Sequence, residues 1–292
     1  MSTTPSPLPE ATLGATGRRV TRAGLGGEGV LRTTRRGPEA AAVLEAALAA
    51  GITYFDCARA YADAERYHGA FWGKRPADRE RVFLTSKSAA RDGGGARREL
   101  EETLRRMEVD HLDLWQIHDV RTDDDLDELT HPGGALDTFV RAREQGLVRH
   151  LGVTGHHAPR VLRAAVEAFP VDAVLLPVNP MEGVLGGFLT DVLPAARARG
   201  LGVIGMKALG GAGGPGGAGG GRLVQAGLDA DALLRFAFAQ PVDVVIVGCA
   251  TPTEVAALAA ASHAPLDAAA QAALCEAVRG QAWGLAGYRG EP

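Results

Sequence analysis

The strongest constraint on the fold is an alternation, repeated eight times, between short apolar runs and longer segments of helical character. The apolar runs are ITYF (52–55), VFLTS (82–86), LDLWQI (112–117), HLGVT (150–154), AVLLPV (173–178), GVIGM (202–206) and VVIVG (244–248), preceded by a weaker run near Ala23–Gly27. Their apolar residues are almost continuous, which is typical of strands covered on both faces. These runs predict eight strands of a parallel sheet.

Amphipathic stretches between the runs supply the helices of the alternation. Predicted helices span Pro38–Ala50, Arg97–Met107, Gly134–Gln145, Pro159–Ala168, Leu185–Arg199, Asp229–Ala239 and Pro252–Ala261. Several are followed by glycine, the residue that most often ends a helix. Eight strand–helix units in 292 residues favour a closed barrel over an open sheet. The predicted class is therefore α/β, a (β/α)8 TIM barrel.

Three further segments lie outside the alternation or interrupt it. Residues 1–12 are predicted to be a disordered lead, and the segment around Thr16-Gly17 predicts an N-terminal β-hairpin. A helix over Asp267–Arg279 is predicted as an extra C-terminal element, and the acidic run Asp123–Asp125 is assigned to a loop. We expect residues 13–292 to form a single barrel domain.

Composition and charge narrow the class of protein. Hydrophobic residues make up 46% of the chain, the net charge is −4, and no apolar stretch reaches membrane-spanning length. Cys57, Cys249 and Cys275 lie far apart without metal-ligand spacing. We expect a cytoplasmic protein with no metal site and no nucleic-acid or membrane partner, and the oligomeric state stays open.

Polar residues follow three consecutive predicted strands, where a (β/α)8 barrel places its reacting groups. Asp56 ends the second strand with Tyr61 in the loop beyond it, Lys87 ends the third strand and His118 ends the fourth. Each has a structural explanation when taken alone: a helix cap, a loop tyrosine, a solvated strand end, a core histidine. Their joint placement instead predicts one cluster at the mouth of the barrel.

The chemistry of such a cluster is acid–base catalysis. A phenol has a pKa near 10, and a nearby ammonium is expected to lower it, while a buried carboxylate keeps that ammonium charged and oriented. A histidine can donate a hydrogen bond to a carbonyl oxygen as negative charge develops there. The four residues together can protonate an alkoxide or, in reverse, deprotonate an alcohol.

The segments GITYFDCARAY, VFLTSK and HLDLWQIH resemble the active-site segments of the aldo-keto reductase superfamily in order and spacing, and the resemblance extends from about Leu13 to Ala261. It implies that Tyr61 is the general acid/base, that Asp56 and Lys87 tune it, and that His118 orients the substrate carbonyl. It also implies hydride transfer between a nicotinamide cofactor, extended across the barrel mouth, and a small carbonyl or alcohol substrate.

The resemblance places one group of cofactor contacts after the fifth, sixth and seventh strands. Thr154 is kept where the family has Ser/Thr-Asn, but Gly155 replaces the asparagine, and Asn179 stands where glutamine is common. Met206 stands where a tyrosine stacks on the nicotinamide, although a barrel-filling methionine explains it nearly as well. The same segment, GMKALGG, adds Lys207 and Leu209.

The remaining contacts are expected at the phosphates and the adenosine. The glycine-rich stretch 209–222 follows the seventh strand, and Gly210 and Gly211 are predicted to contact phosphate. The turn VGCATPTEV maps Gly248, Ala250, Thr251 and Glu254 onto the adenosine phosphate. Glu254 argues for NAD(H) because it would repel a 2′-phosphate, unless it is only a solvated residue at a helix start. The resemblance to the family implies a slight preference for NADP(H) over NAD(H), since NADP(H) is the commoner cofactor there.

Two other functions remain compatible with these residues. One is a redox-neutral reaction, an epimerisation or dehydration with recycled cofactor. The other is a non-catalytic, cofactor-binding regulatory subunit. The presence of all four residues of the cluster argues against this second function. The substrate itself is not determined by the sequence.

Overall fold

Eight parallel strands close into a barrel in the computed structural model, which describes residues 6–211 and 220–290. In order around the barrel they are β10 (Val244–Cys249), β3 (Ala23–Gly29), β4 (Tyr54–Phe55), β5 (Phe83–Ser88), β6 (Leu112–Ile117), β7 (Val148–Thr154), β8 (Ala173–Pro177) and β9 (Gly202–Met206). The predicted (β/α)8 barrel is therefore confirmed, with strand bounds shifted by a few residues.

The strands are apolar on both faces because each face meets a different core. Inside the barrel, one cluster of buried side chains includes Tyr54, Phe83, Leu114 and Ile204. Outside, the opposite face of the strands packs against the helices in a larger cluster. Fully burying a side chain of this kind contributes about 1.5–3 kcal/mol, which favours apolar residues on both faces.

The helices form the outer layer and connect the strands. They are α1 (Gly37–Ala49), α2 (Ala64–Trp72), α3 (Pro76–Arg79), α4 (Gly93–Met107), α5 (Asp123–Thr130), α6 (Ala135–Glu144), α7 (Pro159–Ala168), α8 (Pro180–Leu185), α9 (Leu193–Ala198), α10 (Arg222–Gln225), α11 (Ala230–Ala239), α12 (Pro252–Ala261), α13 (Ala268–Val278) and α14 (Ala282–Leu285). The predicted extra C-terminal helix corresponds to α13.

One predicted helix is broken. The span Leu185–Arg199 contains the end of α8, a π-helical turn over Phe188–Val192, and α9. Gly186 and Gly187 separate these pieces with φ of 70° and 85°, a left-handed conformation that glycine adopts without strain and that ends an α-helix. The amphipathic pattern of the sequence continues across the break, so the sequence predicted one helix.

Two assignments near loops are also corrected. The acidic run Asp123–Asp125 forms the first turn of α5, where Thr122 caps the helix through a capping box with Asp125. Negative side chains at a helix start are favoured by the helix dipole, so the run has a structural role there. Helix α2 was not predicted at all.

The N-terminal hairpin is confirmed and begins earlier than expected. β1 (Glu10–Thr12) pairs antiparallel with β2 (Arg19–Thr21), so residues 10–12 belong to the hairpin and not to a disordered lead. Residues 1–5 of that lead lie outside the described residues. Leu13, in the connection, packs into the interior cluster and closes the end of the barrel opposite the carboxyl ends of the strands.

In the described ranges, 6–211 and 220–290, no helix combines the length and the apolar character that crossing a membrane requires.

Candidate active site

A buried ion pair stands at the carboxyl ends of β4 and β5. Lys87 Nζ donates to Asp56 Oδ2 at 2.6 Å and to the Cys57 carbonyl oxygen at 2.8 Å. The other carboxylate oxygen, Asp56 Oδ1, accepts from Thr85 Oγ1 at 3.0 Å, and the side chains of the pair are only 1–2% exposed. Since both charges are compensated and hydrogen-bonded, the pair is rigidly oriented.

Tyr61 packs directly over this pair. Lys87 Nζ lies 5.0 Å from the centre of the Tyr61 ring, and the ring meets His118 edge-on with centroids 5.7 Å apart. Gly27 makes room for it on β3, since a Cβ there would lie 2.8 Å from the tyrosine ring. The four side chains that the sequence predicted to converge are therefore in one place.

Tyr61, Lys87 and His118 face a single cavity of about 510 Å³ at the barrel mouth, and Asp56 lies behind Lys87. The volume is in the range of small-molecule sites, about 300–1,000 Å³. The other side chains of its wall are Glu28, Arg32, Ala60, Ala89, Arg91, Asp119, Arg121, Asp125, Thr154, His156, Leu175, Met206 and Lys207.

The electrostatics of Tyr61 differ from the sequence prediction. Burial, followed by the carboxylates of Asp56 and Glu28, raises the pKa of Tyr61 well above its usual value, and only Arg32 opposes them appreciably. The expected net lowering of this pKa is wrong for the protein as it stands, because burial, the largest effect, and the two carboxylates outweigh the nearby cations. The phenol is a proton donor at neutral pH.

His118 is neutral in the same environment. Burial lowers its pKa well below the usual value, and the charges of Lys87 and His156 act in the same direction. A neutral imidazole carries one N–H, which can donate to a carbonyl oxygen without itself losing a proton. The site therefore offers two hydrogen-bond donors, a phenol and an imidazole, to one oxygen atom.

The predicted nicotinamide contacts divide into two groups. Thr154, Met206 and Lys207 line the cavity, and Gly155 is buried at its edge. Asn179 does not line it: its Nδ2 donates to the Lys207 carbonyl at 3.0 Å and to the Tyr288 hydroxyl at 2.9 Å, and its Oδ1 accepts from the backbone N–H of Glu182. The whole amide of Asn179 is thus used inside the protein, where it caps α8.

The predicted phosphate contacts lie beside Lys207. Gly210 and Gly211 adopt φ of 89° and 81° in the turn after β9, and Leu209 packs beside them. Gly210 is buried and donates its N–H to the Lys207 carbonyl at 2.8 Å, whereas Gly211 is half-buried. The neighbouring stretch 212–219 of the glycine-rich segment lies outside the described residues.

The predicted adenosine turn is closed by its own side chains. Thr251 Oγ1 accepts from the backbone N–H of Glu254 at 3.3 Å, and Glu254 Oε2 accepts from the backbone N–H of Ala250 at 2.7 Å. These two hydrogen bonds cap α12. They agree with the alternative interpretation of Glu254 as a structural residue at a helix start. Gly248, just before the turn, has no room for a Cβ because Glu28 would lie 2.5 Å from it.

A C-terminal tail returns to the barrel mouth and is held there by residues 288–290. Arg289 Nη2 donates to Glu182 Oε2, and the Tyr288 hydroxyl donates to Glu182 Oε1, both at 2.7 Å. Gly290 donates its backbone N–H to the carbonyl of His157. The tail thereby bridges the loops after β7 and β8, and its sequence, GYRG, carries no recognisable signal for this contact.

Asp119 and Arg121 were also missed, although a signal existed. Asp119 is the next polar residue after His118 at the same strand end, where reacting groups are expected. Both side chains line the cavity. In the described part of the chain, no cluster of three or more side chains suited to a metal ion was found.

Comparisons with known proteins identify the family of the chain. A sequence model of the Aldo/keto reductase family matches residues 24–215, about two thirds of the chain. The 6-dehydroglucose reductase of Novosphingobium aromaticivorans is 33% identical over 165 residues, which is 51% of this chain and 52% of that protein. The aldo-keto reductase str7 of Strobilurus tenacellus is 28% identical over 218 residues, covering 70% of this chain and 62% of that protein.

These matches span only about half to two thirds of the length of the relatives. Among solved structures, the holo form of aldo-keto reductase AKR11C1 from Bacillus halodurans superposes with a TM-score of 0.71. It covers 95% of this chain and 96% of that structure at 18% identity. At that identity the likeness concerns the fold.

Proposed function

Since the chain belongs to the aldo/keto reductase family, we propose that this oxidoreductase transfers hydride between NAD(P)(H) and a small carbonyl or alcohol substrate, with Tyr61 as the general acid/base. The observation that carries the proposal is the convergence of Tyr61, Lys87 and His118 on one cavity, with Asp56 buried behind Lys87. A structural role would not require a phenol, an ammonium and a neutral imidazole to face the same space.

Each residue has a definite part in the reduction. His118 donates its N–H to the substrate carbonyl oxygen and orients it, and this hydrogen bond strengthens as negative charge develops. Tyr61 gives the phenolic proton to the same oxygen. The Lys87–Asp56 pair then faces the phenolate that remains, and the ammonium stabilises it. The nicotinamide, when bound, supplies the hydride.

The wall of the cavity suits a phosphate-bearing cofactor on one side. Lys207 forms no ion pair within 4 Å among the described residues. It is also buried, which lowers its pKa. Gly210 and Gly211 lie three and four residues further along the chain with φ above 80°; Gly210 is buried and Gly211 is half-buried. A cation beside bare backbone is a common setting for a diphosphate, so we assign these three residues to the cofactor phosphates, with Thr154 and Met206 nearer the nicotinamide.

We propose a slight preference for NADP(H) over NAD(H), only because NADP(H) is the commoner cofactor in the family. We further propose that residues 13–292 act as one domain that binds neither nucleic acid nor a membrane. A cytoplasmic location is supported by the free thiols of Cys57, Cys249 and Cys275.

The test is Tyr61→Phe, which removes only the phenolic oxygen. We expect kcat/KM to fall by about a thousandfold, about 4 kcal/mol of transition-state stabilisation, while cofactor affinity measured by fluorescence titration is unchanged. Tyr67→Phe is the matched control, because the Tyr67 hydroxyl binds the backbone of residues 33 and 36 away from the cavity. More than a tenth of the wild-type rate in Tyr61→Phe would remove Tyr61 as the proton donor. Product formation without net cofactor oxidation would indicate the redox-neutral alternative.

A further inference from the structure

Lys207 is a cation of the cavity wall that no carboxylate holds. Its side chain lines the cavity, and it forms no ion pair within 4 Å with any described residue. Its backbone has a φ of +56°, a left-handed conformation that is uncommon for a residue with a side chain. Such a conformation persists where the surroundings enforce it, so the contacts around Lys207 decide where its ammonium points.

The ring of Tyr288, from the C-terminal tail, meets this ammonium. Lys207 Nζ lies 5.4 Å from the centre of the ring. The face of an aromatic ring attracts a cation without supplying a full negative charge, so the ring orients the ammonium and leaves its charge available to an anion. Lys87 shows the contrast, because its ammonium is paired with the carboxylate of Asp56 at 2.6 Å.

Tyr288 is itself held in place by its hydroxyl. The hydroxyl donates to Glu182 Oε1 at 2.7 Å and accepts from Asn179 Nδ2 at 2.9 Å. The same Asn179 Nδ2 donates to the Lys207 carbonyl oxygen at 3.0 Å. Two parts of Lys207, its carbonyl and its ammonium, are therefore linked to one tyrosine of the tail.

Tyr288 stands behind the cavity wall and beside one of the glycines assigned to the phosphates. A Cβ on Gly211 would lie 3.3 Å from the Tyr288 ring and 3.6 Å from Lys207 Cδ, so the three residues pack together. Tyr288 itself is not part of the wall. Its influence on a molecule in the cavity must therefore pass through its neighbours, of which Lys207 is the charged one that reaches the cavity.

We propose that Tyr288 is a positioning residue for the cofactor: its ring holds the Lys207 ammonium toward the cofactor phosphates, so that the C-terminal tail contributes to the affinity for the dinucleotide. The proposal rests on the assignment of Lys207 to the cofactor phosphates made above. It concerns binding and not the chemical step, because Tyr61 and His118 are not touched. A change at Tyr288 should therefore raise the Kd of the cofactor and leave kcat at saturating cofactor unchanged.

The test is the affinity for NADPH and for NADH, titrated by cofactor fluorescence without a carbonyl substrate. Tyr288→Leu removes the face of the ring, and the Kd of both cofactors should rise about tenfold, since both carry the diphosphate. Tyr288→Phe keeps the face and should stay within about threefold of the wild type. Trp283→Leu is the matched control, because it removes a ring of the same region that meets Arg289 and not Lys207; its Kd should equal that of the wild type.

A double-mutant cycle separates positioning from a general effect on the structure. Lys207→Met removes the ammonium and should itself weaken binding of both cofactors. In that background Tyr288→Leu should raise the Kd by less than about twofold, since the ring has no cation left to hold. An equal rise in both backgrounds would mean that the tail only supports the fold around the site, and would overturn the inference.

Thermal unfolding identifies variants that do not fold, and Tyr288→Met replaces Tyr288→Leu if the leucine variant is among them. An unchanged Kd in the folded variant, or the same loss in Tyr288→Phe as in Tyr288→Leu, would each overturn the inference and leave the proposed hydride transfer standing. A wild type that binds neither NADPH nor NADH would refute the proposed function, and the inference with it.

Discussion

Two of the buried ion pairs in the described part of the chain are alike in geometry and different in origin. Lys87–Asp56 spans 2.6 Å and Arg289–Glu182 spans 2.7 Å, and no side chain in either pair is more than 5% exposed. The first pair joins neighbouring barrel strands 31 residues apart in the chain, and the second joins the C-terminal tail to α8 across 107 residues. Only the first faces the cavity.

The comparison shows that burial of charge does not by itself identify function. Both pairs carry the cost of removing charges from water, which good geometry and further hydrogen bonds offset. What separates them is the neighbour: Lys87 lies against a phenol at the cavity wall, whereas Arg289 is packed near Phe188 and Trp283. We therefore expect the first pair to act on catalysis and the second on stability.

Lys87→Met should produce the largest effect. It removes the ammonium that faces the phenolate and leaves the Asp56 carboxylate buried without its partner, so kcat/KM should fall about a thousandfold and unfolding should become about 3–5 kcal/mol easier. The measurements are steady-state kinetics and denaturant unfolding. Lys74→Met, at an exposed position on the outside of the barrel, is the control. Retention of a tenth of the activity would show that the two pairs do not differ as we suggest.

Glu182→Gln should alter the pH dependence of stability and affect catalysis much less. Burial raises the pKa of Glu182 to about 7 against its usual 4.5, although Arg289 and Tyr288 oppose the shift. A raised pKa in the folded state means that this carboxyl stabilises the fold fully below about pH 4.5, and that the contribution is lost as the pH rises through about 7.

Between pH 5 and pH 8 the wild type should therefore lose up to about 3 kcal/mol that the glutamine variant does not lose. Urea unfolding at both pH values measures the difference. Glu276→Gln, at an exposed pair with Arg279, controls for the loss of a carboxylate. Parallel pH profiles for wild type and Glu182→Gln would mean that the tail pair does not titrate in this range.

Glu254→Arg should give the smallest effect, on a carboxylate that is exposed instead of buried. If the turn before α12 faces the cofactor adenosine, exchanging the charge should raise NADP(H) affinity about ten- to thirtyfold, or about 1–2 kcal/mol, relative to NAD(H). Titration of both cofactors by fluorescence decides the matter. An unaltered NADP(H) affinity would show that Glu254 only caps the helix, as its bond to the Ala250 N–H suggests.

Much of the fold could be predicted because each unit of the barrel repeats the same local pattern. The strands at 112–117 and 202–206 were placed to the residue, since a continuous apolar run has sharp ends. The helix around Gly186 and Gly187 was misjudged, because hydrophobic periodicity does not register a backbone break. Helix α5 was missed since three aspartates resemble a loop until Thr122 is seen to cap them.

The candidate site also contains some residues that the sequence could place and others that it could not. Sequence order alone predicted that Tyr61, Lys87 and His118 lie close together. It did not predict the contacts of Asn179 and Asp119. Asn179 follows a strand as expected, yet its amide is used by Lys207 and Tyr288. The direction of the Tyr61 pKa shift was misjudged because it depends first on how deeply the phenol is buried, which is decided only when the chain has packed.

The sequence by itself determined that the chain forms a barrel and that its candidate catalytic residues lie where β4, β5 and β6 end. Parallel strands of a closed barrel all end at the same face, so residue order is sufficient to predict which side chains meet. Only the tertiary structure decided that the tail returns to Glu182, that Asn179 turns inward, and that one oxygen of Asp119 is buried beside His156. Contacts between distant segments leave no periodic trace in a sequence, and the partners of a buried polar atom depend on distances that are set only when the whole chain has packed.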